Sequence, residues 1–340
     1  MEPRLPTAAT LSDWLRRSGS LPQGSVSHVH VDLAHKTDIS KLFFLTATYT
    51  PDAPPEMPRH IVVKSPLVPP TADCELKFYR EVAPIIGKPP LVNCLAAVEN
   101  GSSEIIVLED LRATHDHPPW PIPPNREQSE VAVDVLARVH AGCWEAPALG
   151  KTIGQPHSVQ SLTSMVQGIV KNLSPFMDAF GDALTAEARR VYERVFSSSL
   201  KPWLRLTDSR ALTIIHGDAH TWNFLFPRNG SGPAYLIDWQ LWHVDIGARD
   251  LAFLMALHWY PGRRRELELP LLRRYHEALL AHGVANYTFD DLWLDYRRCV
   301  VRNLTIPIIF WSGGKKPEGW WHRLECALAA YNDLKCEELL

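Results

Sequence analysis

The chain has 340 residues, of which 46% are hydrophobic and 21% charged. That length can bury a substantial core and fits one large two-lobed domain or two domains. The 35 basic and 38 acidic residues leave a formal net charge of -3, which excludes a general attraction to nucleic acid. The sequence shows no signal peptide and no apolar run of membrane-span length, so no membrane partner is expected. Six scattered cysteines without a C-x-x-C pair predict reduced thiols and a cytoplasmic protein.

The N-terminal part of the chain predicts one short helix followed by strands. Residues 8–18 (AATLSDWLRRS) place their apolar side chains on one helical face. Alternating apolar residues at 29–33 and the β-rich run at 42–49 then indicate two strands joined as a hairpin.

A lysine and a glutamate in this part of the chain predict a buried ion pair. The apolar strand IVVK ends on Lys64, whose charge needs a partner if the strand is buried. Residues 72–86 read as a helix, and Glu75 precedes Phe78 and Val82 by three and seven positions on its inward stripe. The alternative is a surface lysine at a strand end and a glutamate in the first turn of a helix.

A change of pattern after the apolar run IIVLEDL predicts the boundary between two lobes. The Pro-rich crossing that follows suggests a linker at 109–125 between an N-terminal lobe, 1–108, and a C-terminal lobe, 126–340. Strands dominate the first part and helical periodicity the second. The predicted fold class is therefore α+β, with a small β-rich N-lobe and a larger, mostly helical C-lobe.

The C-terminal part begins with a helix over 127–145, whose apolar stripe predicts a buried central position. His140 lies on this helix and is interpreted as a satisfied core histidine in preference to a catalytic one. Further on, 240–250 (QLWHVDIGARD) predicts a loop and 250–260 (DLAFLMALHWY) a helix.

The most informative stretch is 212–240. One apolar run ends at His216-Gly-Asp218, Asn223 follows that aspartate by five positions, and a second apolar run ends at Asp238. Phosphoryl transfer from a metal nucleotide needs one carboxylate to accept the alcohol proton, and an Asn and a second Asp to hold magnesium. The order of these residues is that of a kinase catalytic loop and its metal aspartate. The stretch therefore indicates a kinase.

Six pieces of the chain together resemble the aminoglycoside phosphotransferase and choline kinase superfamily, and in particular its CHK (ecdysteroid) kinase-like branch. They are VVK (62–64), E-x-x-F-Y (75–79), VLEDL (107–111), HGDAHTWNFLF (216–226), LIDWQ (236–240) and RDLAFLMA (249–256). The specific signal is HGD-x4-N followed by IDWQ and DLA. The resemblance implies a protein-kinase-like two-lobed fold, ATP and Mg²⁺ as cofactors, and a small-molecule alcohol as acceptor.

The same resemblance implies roles for five residues. Asp218 would be the catalytic base that orients and deprotonates the acceptor hydroxyl. Asn223 and Asp238 would be the magnesium ligands. Lys64 would contact the nucleotide phosphates, and Glu75 would hold Lys64.

Further roles follow from the resemblance, and one feature departs from it. Glu109 and Leu111 would meet the adenine through their backbone groups, while His216 and Asp250 would support the catalytic loop structurally. The predicted hairpin, however, contains no glycine, although kinases use a Gly-rich loop there to cover the phosphates.

The acceptor is the part of the function that the sequence identifies least. His115, His220 and Trp239 are candidate substrate contacts, although a solvated turn for the first and a core position for the tryptophan are the plainer interpretations. The C-terminal third mixes Arg with Glu and is rich in Trp. That composition favours a flat or weakly charged acceptor, such as a sterol-like, aromatic or sugar alcohol, over a polycationic aminoglycoside.

Two other functions compete with the kinase. A zinc-dependent hydrolase would use His216, Asp218 and His220, with His243 or Asp238 as a further ligand. It leaves the strand lysine, its glutamate and the asparagine without a role. A catalytically silent pseudokinase would be expected to have lost the base or a metal ligand, and this sequence keeps them all.

Overall fold

A computed structural model describes most of the chain. The described residues are 5–37, 39–67, 75–87, 90–100, 103–197, 201–208 and 210–340. The chain divides into two compact units: a first unit of Met1–His117 with Phe224–Trp242, and a second unit of Pro118–Asn223 with His243–Leu340. The first contains a small antiparallel sheet and the second is mostly helical, so the predicted α+β fold class is confirmed. The linker at 109–125 stays a prediction.

The first unit is built on a five-stranded antiparallel sheet in the spatial order β1-β2-β3-β5-β4. Its strands are Val26–Lys36 (β1), Ser40–Tyr49 (β2), His60–Pro66 (β3), Cys94–Asn100 (β4) and Ser103–Glu109 (β5). The predicted hairpin is the β1–β2 pair and is confirmed. Alternation along β2 buries Phe43, Leu45 and Ala47 on one face, as a half-buried strand requires.

One helix covers the buried face of this sheet. Helix α1 (Ala8–Arg17) begins at Thr7, whose side chain and that of Thr10 form a capping box. Leu11 and Leu15 are fully buried and pack, one turn apart, against inward residues of the sheet. Each such side chain contributes about 1.5–3 kcal/mol by burial, so the helix is held mainly by packing. The predicted helix over 8–18 is confirmed.

The helix predicted over 72–86 is present in its described part, and residues 72–74 lie outside the described residues. It consists of Glu75–Lys77 (α2), a π-helical turn Phe78–Val82 and Ala83–Ile86 (α3). The π turn differs from the regular helix that the sequence predicts. A wider turn lets neighbouring aromatic side chains both point inward, and such turns are frequent at functional sites.

Helices form most of the second unit. Their bounds are Arg126–Gly142 (α4), Val159–Phe180 (α5), Ala186–Ser197 (α6), Lys201–Leu204 (α7), Ala248–Leu251 (α8), Pro261–Ala281 (α9), Phe289–Asn303 (α10), Thr305–Ser312 (α11) and Trp321–Asp333 (α12). The predicted central helix is α4, which is buried along one side and packs on α9. After α8 the chain continues as a π-helical segment, Ala252–Leu257. In the described parts of the chain, every helix is too short or too polar to cross a membrane.

Short strands position the polar residues of interest. They are His115–Asp116 (β6), Leu212–Ile215 (β7), Phe224–Pro227 (β8), Tyr235–Leu236 (β9) and His243–Ile246 (β10). In the first unit β8 pairs with β6 and β9, and in the second unit β10 pairs with β7. The predicted loop over 240–250 is therefore wrong, because Val244 and Ile246 are buried in a ladder with β7.

Candidate functional site

In the first unit, one buried lysine joins two carboxylates. Lys64, on β3, places its Nζ 2.6 Å from Glu75 Oε2 and 2.6 Å from Asp238 Oδ1. The predicted pair of Lys64 and Glu75 is therefore formed. Asp238 adds a contact that the sequence analysis did not include. The residues lie on three separate elements, so the ion pairs also fix β3, α2 and the end of β9 relative to one another within this unit.

The charges of this group do not cancel. Burial by itself would lower the pKa of Lys64, but the two carboxylates outweigh burial and raise it, so the lysine stays charged. Burial raises the pKa of Glu75 and Asp238 raises it further, while Lys64 opposes both. With both carboxylates ionised, one negative charge is in excess. The Asp238 side chain is 39% exposed and the Glu75 side chain 1%, so a cation from solution reaches Asp238.

The backbone around Asp238 is held in an uncommon conformation. Asp238 has φ 68° and ψ 64°, in the left-handed region that non-glycine residues rarely adopt. The next residue, Trp239, donates its backbone N–H to Glu75 Oε1 at 3.3 Å. Strained residues of this kind persist where the surroundings fix them, and they concentrate at functional sites.

Trp239 itself belongs to the core of the first unit. Its ring is fully buried and stacks on Phe78, with centroids 3.9 Å apart and planes 8° apart. The indole N–H donates to the carbonyl of Leu236 at 3.1 Å. The indole ring stacks on one core residue and its N–H donates to another. The candidate substrate contact at Trp239 is therefore corrected to a packing role.

In the second unit, one aspartate braces the loop that carries the proposed base. Asp250, on α8, accepts the His216 N–H at 2.7 Å and the Gly217 N–H at 2.9 Å. Gly217 has φ +80°, which a residue with a Cβ adopts at a cost. Asp218 follows directly, so its backbone position is set by these hydrogen bonds.

Asp250 is in turn supported by a buried hydrogen-bond chain. His140 Nε2 lies 3.2 Å from Asp250 Oδ2, and His140 Nδ1 lies 2.7 Å from the Tyr275 hydroxyl. Because a carboxylate only accepts, His140 donates from Nε2 to Asp250. Burial would raise the pKa of Asp250, but hydrogen bonds from His140 and the His216 backbone outweigh it, and the pKa is lowered. His140 is thus a satisfied core histidine, as the sequence analysis preferred.

Asn223 is tied to the same loop. It ends a 3-10 turn, Thr221–Asn223, and its Nδ2 donates to the carbonyl of Asp218 at 2.9 Å. The side chain is 6% exposed. With the amide nitrogen used in this way, the amide oxygen is the atom that suits a magnesium ion.

The zinc hydrolase fits the second unit poorly. His220 Nε2 lies 3.5 Å from Asp218 Oδ2. His216 does not join them in a metal-ligand group. Within the described residues, the group whose ligand atoms all lie within 4.8 Å of one another is instead His157, His243 and Asp245.

In the group of His157, His243 and Asp245, the charge of the carboxylate is already balanced by an arginine. Arg302 donates to Asp245 at 3.2 and 2.6 Å, one contact to each carboxylate oxygen. Arg302, ahead of His243, holds the pKa of this buried carboxyl well below its usual range, against the effect of burial. We interpret Asp245 and Arg302 as a buried structural ion pair.

The residues predicted to meet adenine, together with His115, lie at and beyond the end of β5. The Glu109 N–H donates to the Asn93 carbonyl at 2.9 Å, and the Leu111 carbonyl accepts the His115 N–H at 2.8 Å. The His115 ring lies 3.1 Å from the Pro233 carbonyl through Nε2 and 2.8 Å from Thr114 Oγ1 through Nδ1. Adenine and acceptor contacts here stay predictions.

Several residues near Asp218 were missed by sequence reasoning. Burial lowers the pKa of Arg323, on α12, and the charge of the nearby Asp218 opposes that effect. Trp222 and His258 pack around His220, with centroids 5.6 and 5.7 Å from its ring. Separations of up to about a hundred residues along the chain carry no periodic signal, so no pattern identifies this cluster.

Comparison with solved structures shows which proteins share the fold of this chain. Solved structures with a related fold include a spectinomycin phosphotransferase in complex with ADP and spectinomycin, at 13% identity, covering 96% of this chain and 99% of that one, with a TM-score of 0.53. A Ralstonia eutropha protein assigned to the aminoglycoside phosphotransferases has 16% identity, 96% and 97% coverage and a TM-score of 0.58. A Plasmodium vivax ethanolamine kinase has 11% identity, 90% and 81% coverage and a TM-score of 0.52. The predicted kinase-like fold is thereby confirmed.

The family assignment is more specific. The ecdysteroid kinase-like family matches residues 75–284, well over half of the chain. The chain therefore belongs to the ecdysteroid kinase-like family, as its motifs predicted. A search of curated proteins finds no match.

Proposed function

We propose that the protein transfers the γ-phosphoryl group of ATP, with Mg²⁺, to a hydroxyl of a small molecule. The observation that supports this most is the ion-pair group of Lys64, Glu75 and Asp238 in the first unit. It combines the lysine and glutamate that kinases use to align nucleotide phosphates with the aspartate they use for metal. A purely structural ion pair would not need a second carboxylate that is partly exposed and in a strained conformation.

The donor set fits magnesium. Asp238 would hold the ion, because it is a partly exposed carboxylate in a group with one negative charge in excess. Asn223 is the second proposed ligand, through its amide oxygen. Hard oxygen donors of this kind are those that magnesium prefers. When bound, magnesium would supply neutralisation of the phosphate charge, while Lys64 would contact the phosphate oxygens.

Asp218 is the proposed base. Its carboxylate would accept the proton of the acceptor hydroxyl as that oxygen forms a bond to the γ-phosphorus, and the bond from phosphorus to the leaving oxygen of ADP breaks. Products are the phosphorylated acceptor, ADP and one proton, first held on Asp218. Hydrogen bonds from the loop backbone to Asp250 keep the base in one position during this step.

The proposal is tested by incubating the protein with magnesium-ATP and a panel of alcohols, sugars, sterols, hydroxy acids and aminoglycosides. Mass spectrometry then detects an acceptor that has gained a phosphoryl group. One or more phosphorylated acceptors with the wild type, and none with Asp218→Asn, are the expected result. Magnesium-ATP binding without any product across the panel would favour a pseudokinase. Absence of nucleotide binding would overturn both.

A further inference from the structure

A cluster of aromatic rings adjoins the proposed base in the second unit. His220 Nε2 lies 3.5 Å from Asp218 Oδ2, and the His220 ring lies 5.6 Å from Trp222 and 5.7 Å from His258. Trp120 covers Trp222, with centroids 4.3 Å apart. Trp120 is 58% exposed whereas His258 is 8% exposed, so the cluster extends from the surface into the interior of this unit.

Polar atoms of this cluster are buried without a hydrogen-bond partner among the described residues. They are Trp222 Nε1, His258 Nε2 and Arg323 Nε. His258 Nδ1 contacts the Phe253 carbonyl at 2.7 Å, so the ring proton lies on Nδ1 and Nε2 is left as an acceptor. A buried polar group without a hydrogen-bond partner destabilises the folded protein. Two of these atoms belong to Trp222 and His258, whose rings lie 6.4 Å apart, and they indicate a site whose hydrogen bonds are completed by a ligand.

Arg323 supplies the positive charge near this cluster. Burial lowers the pKa of Arg323, and the negative charge of Asp218 offsets only part of that effect. No described carboxylate lies within 4.0 Å of its guanidinium, which instead lies over the Phe310 ring at 5.0 Å. Burial, and then Arg323, lower the pKa of both His258 and His322, so both rings favour the neutral form. A guanidinium that is partly buried and has no adjacent carboxylate favours an anionic ligand.

We propose that this aromatic cluster is the acceptor site, and that the acceptor is a flat, ring-containing alcohol that carries an anionic group. Arg323 binds the anion, because a guanidinium offers paired N–H donors that match a carboxylate. Trp222 and Trp120 contact the ring of the acceptor, as aromatic side chains do in small-molecule sites. His258 accepts a hydrogen bond through Nε2. The inference rests on the proposed phosphotransferase function for calling the ligand an acceptor, and on the cluster alone for its chemistry.

The test uses binding and needs no catalysis. Three probes of nearly equal shape, 2-naphthoate, 2-naphthamide and 2-naphthylmethylammonium, are titrated into the whole protein without nucleotide, and affinity is measured by calorimetry. We expect naphthoate to bind at least about tenfold more tightly than naphthamide, and the ammonium probe most weakly, as one charge-assisted pair allows. Equal binding of the acid and the amide, or binding of none of the probes, would overturn the proposal.

Substitutions test whether Arg323 is the residue that gives the preference for naphthoate over naphthamide. Arg323→Gln is expected to make acid and amide bind alike, whereas Arg323→Lys keeps part of the preference because it keeps the charge. Arg138→Gln replaces an exposed arginine on α4 and is the matched control, with the preference unchanged. Trp222→Phe removes the Nε1 donor and is expected to weaken all three probes while the preference for the acid remains. A preference that survives Arg323→Gln would contradict the proposal.

One outcome separates the acceptor from the nucleotide as the source of the anion. If Arg323 instead served a phosphate of ATP, Arg323→Gln would weaken magnesium-ATP binding as much as naphthoate binding, and the proposal would fall. Failure of the phosphotransferase function appears separately, as a lack of phosphorylated product with every hydroxylated compound. A naphthoate preference without any turnover would uphold the anion site while the function fails.

Discussion

Two buried polar networks, one in each unit, differ in how completely their members are satisfied. In the first unit a single ammonium faces two carboxylates, and the side chain of Asp238 is 39% exposed. In the second unit Asp250 and His140 are wholly buried, and the hydrogen bonds run from loop backbone through Asp250 and His140 to Tyr275. The first network contains a carboxylate that is open to solvent, whereas the second holds a loop. The difference suggests that substitutions in the first should affect binding and those in the second stability.

The largest expected effect is the loss of catalysis in Asp218→Asn, a substitution that should leave the fold intact. Asp218→Asn removes the proposed base but keeps the size of the side chain, so turnover of an identified acceptor should fall by about 10²- to 10⁴-fold. Initial rates of phosphorylated product measure the loss, and thermal unfolding checks the fold. Asp182→Asn, at an exposed position, is the matched control and should retain wild-type rates. Unchanged turnover in Asp218→Asn would assign the base to another residue.

Next in size is a loss of stability in the second network. Asp250→Ala leaves the backbone N–H groups of His216 and Gly217 and the buried His140 without their acceptor. Removing one member of a buried charged network costs about 3–5 kcal/mol of unfolding free energy. Urea unfolding measures it. A cost within about 0.5 kcal/mol, the level of ordinary surface changes, would show that Asp250 does not hold the loop.

A smaller effect is expected from crowding the same network. A Cβ added at Gly247 would lie 2.4 Å from the Tyr275 hydroxyl and 2.7 Å from His140 Nδ1, both buried. Gly247→Ala should therefore cost about 1–3 kcal/mol of unfolding free energy, as overpacking does. Gly262→Ala, in α9 with open space around the new Cβ, is the control and should be neutral or stabilising. Equal stabilities of the two variants would mean that the network relaxes freely.

The smallest effect concerns acid pH. The pKa of Asp250 is lowered in the folded protein, so its stabilising contribution is complete above its unfolded pKa of about 3.9 and is lost as pH falls through the lower folded value. The difference in unfolding free energy between wild type and Asp250→Asn should thus be constant from about pH 5 to 8 and shrink only below about pH 4. Urea unfolding across this range measures it. A difference that shrinks already near neutrality would assign the interaction to a different titrating group.

Local patterns in the sequence were sufficient for part of the molecule. The strand that ends on Lys64 and the helical stripe that contains Glu75 predicted their ion pair, because periodicity determines which way each side chain points. The spacing from His216 to Asp238 predicted a kinase, and the kinase-like fold that this implies is present. Strand β10 was missed because its 4 residues are at the lower limit of the length over which alternation indicates a strand.

Long-range partners could not be predicted. His140 and Tyr275 are 135 residues apart in the chain, and Asp250 is 110 residues from His140, so only the packing of α4, α8 and α9 brings them together. Arg323 near Asp218 is a further case of the same kind. Trp239 is a different case, since an aromatic residue near the predicted site suggested a substrate contact, and the stack on Phe78 shows a core role.

The central claim is that the Lys64, Glu75 and Asp238 group binds a magnesium nucleotide. Calorimetric titration of ATP with and without magnesium, on the wild type and on Asp238→Asn, tests it most directly. We expect ATP binding to strengthen markedly with magnesium in the wild type and to lose that dependence in Asp238→Asn, with the fold unchanged. ATP affinity that is the same with and without magnesium, or no ATP binding by the wild type, would contradict it.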